Sequence, residues 1–196
     1  MHPTRLVLLL AVILLSGASS LAQRPGPEFW RKVGCEPFEP RTKLEALEER
    51  HNAVIIKGFT RITTVEVRGV RIDAVEMREM GNVHRAKGIV VSLREGGERP
   101  NENRAFVDYE EMDALLNAID AVARVDETVT RLASFEAKYK TMGDLELGVF
   151  RQTQRGTAVI ISTGICDRAT QTMTLDDLAK VKAMIQEAKA RLDELR

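Results

Sequence analysis

A strand that runs straight into a capped amphipathic helix occurs twice in this 196-residue chain, and that doubling constrains the fold more than any other feature. In the first copy Phe106-Val107 leads into Asp108-Tyr109-Glu110-Glu111-Met112. Asp108 is placed to accept from the first free helix N–H groups, Glu111 to reach back to the Asp108 amide, and Val107 to staple against Met112. Met112, Leu115, Leu116, Ile119 and Val122 recur at three- and four-residue steps, with Asp113, Asn117 and Asp120 on the other face. This pattern predicts a helix over 108–125. Thr174, 66 residues after Asp108, opens the echo: Asp177 completes its capping box, Met173 and Leu178 its staple, and Val181, Ile185, Ala188 and Leu192 its stripe, over 174–195. A helix with one apolar stripe needs a sheet to cover.

The stretches before each helix supply that sheet. Residues 53–59 form a β-branched run, 64–68 alternate strictly, and 70–80 begin with Val70 and Ile72 inward before the phase changes at Ala74-Val75, where a β-bulge is expected. Gly81-Asn82 makes a turn, 85–94 alternate again with Ile89, Val91 and Leu93 on one face, and 105–107 enter the first helix. The second half repeats the order with 135–139, a Gly143-Asp144 turn, 145–151, 157–162 and 168–173. Thr157 to Ser162 lines up with Lys87 to Ser92 at an offset of 70, and the offset falls to 66 because the first copy carries four extra residues in its acidic loop. The expected fold is α+β, two tandem ββββα repeats (about 53–125 and 132–196) forming a curved antiparallel sheet with the helices packed on one side, each over its own half.

Ahead of this domain, residues 1–22 have the form of a secretory signal peptide: Arg5, the unbroken apolar run Leu6 to Leu15, then Ser20-Leu21-Ala22. Ten apolar residues fall short of the roughly 20 that cross a bilayer, so an exported protein, periplasmic or secreted, without a membrane span after cleavage is expected. Residues 23–40 hold four of the six prolines and read as an extended arm carrying Phe29 and Trp30. Thr42 and Glu45 mark a further capping box, with a short helix to about Arg50 and a single domain over 41–196. Cys35 and Cys166, even in number in an exported chain, permit a disulfide between arm and second repeat; two buried thiols that never meet is the other reading. Loss of residues 1–22 removes Arg5 alone among the charged side chains, leaving 28 basic and 29 acidic residues and no global field toward nucleic acid or anionic lipid.

The chemistry-bearing residues do not assemble into a catalytic pattern. His51 and His84 are the only histidines after residue 22 and are not spaced as a ligand pair, while Glu110-Glu111 and Asp176-Asp177 stand at helix starts, where acids complement the dipole. Ser92 and Ser162 sit at equivalent strand positions rather than on a strand-to-helix elbow. Neither an enzyme nor a cofactor is expected. On the strands Arg68, Arg71, Arg78, Arg85 and Lys87 alternate with Glu66, Asp73, Glu76 and Glu79, and aromatics make up 5% of the chain, so a stacking platform for bases is not apparent.

Two stretches, 106–116 and 135–145, resemble a family of uncharacterised exported bacterial proteins, which implies export and the domain boundaries but no activity. In topology the doubled four-strand-plus-helix unit is similar to the Whirly and Pur families, which implies a sheet surface for single-stranded nucleic acid. The expected function is that of an exported, non-enzymatic binding or envelope-associated protein. Its macromolecular partner, protein rather than nucleic acid, meets the sheet face away from the helices or the arm, with Phe29, Trp30, Arg68, Arg78 and Arg85 as candidate contacts. The alternative is a sheet-based single-stranded nucleic-acid binder.

Overall fold

Both halves of the chain fold as meanders. A computed structural model describes residues 39–67, 69–96, 101–126, 128–152, 156–164 and 168–195. A short helix, α1 (Lys43–Glu48), precedes β1 (Ile55–Val67), β2 (Val70–Glu79), β3 (Arg85–Arg94) and β4 (Glu102–Asp108). A 3-10 turn, Tyr109–Glu111, leads into α2 (Met112–Ala123); β5 (Phe135–Lys140), β6 (Glu146–Gln152), β7 (Gly156–Thr163), β8 (Ala169–Met173) and α3 (Leu175–Asp193) follow. The strands form two four-stranded antiparallel sheets in sequence order, so the α+β class and the tandem four-strand units expected from the sequence are present. The two sheets meet at a backbone bridge between Phe106 and Gly143. Residues 1–22, the arm with Phe29 and Trp30, Arg68 and both cysteines lie outside the described residues.

One apolar core joins the inner faces of both sheets to α2 and α3, through residues such as Ile72, Ile89, Val91, Leu115, Ile119, Leu147, Ile161 and Ile185. Both long helices therefore lie on one side of the strands, but each covers the other repeat's sheet: α3 packs on β1, β2 and β3, and α2 on β5 and β6. This corrects the expectation that each helix covers its own half. Thr174 is the single residue between β8 and α3, and β8 runs beside β3, so the helix leaves its strand already facing the first sheet. Lys182 and Asp120, 2.5 Å apart, join the exchanged helices at the surface.

The two faces of the first sheet are both buried in part, which accounts for the phase change at Ala74-Val75. No bulge occurs there: β2 keeps one register against β3 from Val70–Leu93 to Arg78–Arg85. Val70, Ile72 and Ala74 face the shared core, while Val75 and Met77 face a second cluster under α1 with Leu44, Leu47, Ala86, Val90 and Phe106. The irregularity falls instead in β1, between Ile62 and Val67, and the two strands expected over 53–59 and 64–68 are one.

Capping follows the sequence where no distant group competes. Thr174 with Asp177 and Thr42 with Glu45 both form complete boxes. The Asp108 box does not form. Its carboxylate accepts from Lys43 N at 2.7 Å and Leu44 N at 3.2 Å, capping α1 across the sheet, and Glu111 accepts from Met142 N at 3.0 Å. Asp108→Ala is therefore expected to release α1 from the sheet and cost about 1–2 kcal/mol, measured by chemical denaturation, with Asp108→Asn recovering part of it. An unchanged stability in Asp108→Ala would mean that the α1 amides find water instead.

Candidate functional site

The face of the first sheet turned away from α2 and α3 is only half covered by α1. Alternation sends Lys57, Phe59 and Arg61 of β1 and Arg71, Asp73 and Val75 of β2 to this outer face. The antiparallel register brings Val90 and Ser92 of β3 and Glu102 and Arg104 of β4 alongside them. Beside α1 they line a groove of about 540 Å³. Val75, Val90 and Ser92 are buried in its floor, while Phe59 on the rim is 65% accessible, the one aromatic among the exposed large apolar side chains of the described residues.

Its charges are interlocked. Glu48 of α1 takes Lys57 Nζ at 2.9 Å on one carboxylate oxygen and Arg104 Nη2 at 2.8 Å on the other, so one acid spans the sheet from the β1 side to the β4 side. Both cations lie over the ring of Phe106, at 5.8 and 5.2 Å. Further along, Arg61 Nε bonds its cross-strand neighbour Asp73 at 3.1 Å, and Arg71 reaches Glu102 at 2.9 Å while also flanking Asp73. Four cations thus face three carboxylates, each cation in a partly exposed pair of small energetic worth. Such a surface offers a polypeptide Arg forks, an apolar floor and an aromatic edge, but not the unbroken positive field that draws a phosphate backbone.

The residues singled out in the sequence do not converge here. Arg78 and Arg85 face each other across β2 and β3 on the helix-side face, at the end the helices leave open, and Arg85 Nε lies 2.6 Å from Glu76. Ser92 and Ser162 are both buried, and Phe135 and Tyr139 pack against the core. The alternation Lys57-x-Phe59-x-Arg61 was a legible signal for this groove. Its partners Arg71 and Arg104 depend on strand register and were not.

Two other polar clusters tie elements together. Asp144, in left-handed backbone (φ 63°) and buried, accepts from Arg41 Nη1 on both carboxylate oxygens, at 3.1 and 3.0 Å, and also pairs with Lys140, holding the segment before α1 to the second sheet. The Tyr109 hydroxyl donates to Asp193, which holds the phenol above its ordinary value and the Asp193 carboxyl below its own. Lys87 lies 4.3 Å above the Tyr109 ring and donates to the Leu192 carbonyl at 2.7 Å, closing the C-terminal end of α3. A phenol raised in this way is the reverse of what a base or nucleophile at neutral pH requires. Among the described residues no group of three His, Cys, Asp or Glu side chains is arranged to hold a metal ion, and no helix is long and apolar enough to cross a membrane.

Comparison with protein-family models, curated proteins and solved structures gives no significant match.

Proposed function

We propose that this is an exported, non-enzymatic binding or envelope-associated protein that meets a macromolecular partner, protein rather than nucleic acid, through the outer face of its first sheet. The half-open groove beside α1 carries this reading, because it combines a buried apolar floor, an exposed aromatic rim and Arg groups whose acids are within the same groove. Export rests on the form of residues 1–22. A photoreactive phenylalanine analogue in place of Phe59, in cells exporting the protein, is expected to trap a polypeptide. The same group in place of Lys138, exposed on β5, is expected to trap nothing. Equal yields from both positions, or none from position 59, would overturn the reading.

Four cations and Phe59 on one sheet face are what a single-stranded nucleic-acid binder would use. Against it stand Glu48, Asp73 and Glu102, which neutralise the same cations at short range. Labelled oligonucleotide is therefore expected to bind weakly and to dissociate by moderate salt, since each phosphate contact adds about 0.7 to the log-log salt slope on single strands. Tight binding with a steep slope, lost in Arg71→Glu and Arg104→Glu, would favour nucleic acid.

A further inference from the structure

β1 is an edge strand: among the described residues, β2 is the one strand paired with it. Met80 N donates to Val54 O at 2.9 Å, and bonded pairs alternate with non-bonded ones along an antiparallel ladder. The bonded pairs are then Ile56–Arg78, Gly58–Glu76 and Thr60–Ala74. The N–H and C=O groups of Ile55, Lys57, Phe59 and Arg61 consequently point away from β2, toward the open edge. Every residue from Ile56 to Arg61 is exposed, so a run of main-chain donors and acceptors lies accessible beside the groove.

The side chains say what can pair there. A strand added to this edge would place residues directly opposite Lys57, Phe59 and Arg61, on the groove side, where opposite charges attract and like charges repel. A second copy of the chain, pairing antiparallel about Phe59, would set Lys57 against Arg61 twice, so the two cations act against self-association of the edge. Acids at those positions, flanking an apolar residue opposite Phe59, would relieve both. On the other face Gly58 leaves bare backbone between Ile56 and Thr60: a Cβ built there would have no atom nearer than 4.0 Å. An aromatic side chain of the added strand can cover that gap.

From this geometry we infer that the free edge of β1 takes up an extended acidic polypeptide segment as an added strand, with acids at alternate positions around an apolar residue. The inference rests on the reading of the first sheet's outer face as the binding surface and names the chemistry of its partner. Lys57 and Arg61 already share Glu48 and Asp73 within the chain; an incoming carboxylate joins these pairs as a second acceptor on side chains that remain partly exposed. The main-chain bonds supply affinity and the charges supply orientation and choice.

The test uses the full chain and a labelled peptide with Glu-Thr-Val-Phe-Glu at its centre, a counterpart with both Glu replaced by Lys, and a single-stranded oligonucleotide of equal charge. The acidic peptide is expected to bind about tenfold or more tightly than its basic counterpart, and Lys57→Glu with Arg61→Glu to reverse the order. Phe59→Pro removes an outward N–H without removing any bond to β2, so it is expected to abolish binding where Phe59→Ala only weakens it. In the unmutated chain, hydrogen exchange at the amides of Lys57, Phe59 and Arg61 is expected to slow on binding, while Gly58 and Thr60, already bonded to β2, change little. That measurement decides the matter even if Phe59→Pro fails to fold. Equal affinity for both peptides, displacement by the oligonucleotide, no added protection along the edge, or a dimer broken by Phe59→Pro would each overturn the inference. A polypeptide trapped from position 59 without binding of the acidic peptide would sink strand addition alone; absence of any trapped partner would sink the broader reading.

Discussion

Split in the loop between α2 and β5, the chain is expected to give two fragments that are each unfolded alone and that fold on mixing. The exchanged helices are the reason. The first fragment would hold β1 to β4 without α3, leaving the inner side of that sheet, including Ile72, Ile89, Val91 and Leu93, open to water. α3 brings Leu178, Val181, Met184, Ile185 and Leu192 to the core, each at most 2% accessible. At about 1.5–3 kcal/mol for each large apolar side chain, their burial is worth on the order of 10 kcal/mol. The whole net stability of a domain is roughly 5–15 kcal/mol, so the loss leaves nothing to hold the sheet. The second fragment keeps α3 but loses α2 from β5 and β6 and the first sheet from α3. Circular dichroism of each fragment and of an equimolar mixture is the measurement. A cooperative unfolding transition in the first fragment alone would show that the exchange is not what unites the halves.

Gly143→Ala is expected to destabilise the chain by about 3 kcal/mol, the upper end of overpacking costs. A Cβ at Gly143 would fall 2.0 Å from the Phe106 carbonyl oxygen and 2.9 Å from its carbonyl carbon. These are main-chain atoms at the bridge between the two sheets, and Phe106 is itself locked under α1, so neither side can step aside. For a chain of this size the loss corresponds to roughly 6–12 °C in melting temperature. Gly148→Ala is the contrast, because the nearest atoms, at 3.0 and 3.2 Å, belong to the Ile160 side chain, which can rotate. Thermal unfolding of the two variants checks the pair, and equal losses would mean that the bridge yields as readily as a side chain.

Local signals were readable wherever they completed themselves locally. Thr174 and Asp177 are three residues apart and bond each other, and the other partner of Asp177, Lys180 at 3.3 Å, belongs to the same helix, so α3 begins where its sequence says. Asp108 and Glu111 have the same spacing, but the α1 amides and Met142 N lie close by in the fold and take both carboxylates. The phase change at Ala74-Val75 was equally visible. Its cause was not, since a strand buried on two faces and a bulged strand buried on one write similar patterns.

The sequence by itself determined the elements other than the undivided β1, their doubling and the apolar stripe of each long helix, because hydrogen-bond geometry sets periods of 2.0 and 3.6 that any buried face must print on the chain. A stripe records that a face is covered, not what covers it. Only the tertiary structure decided that α3 lies on the first sheet and α2 on the second, and that α1 closes half of the outer face and leaves the Arg61, Arg71 and Arg104 groove beside it. Those outcomes depend on the direction in which a strand hands over to its helix and on which strand ends come side by side, and neither quantity leaves a period in the sequence.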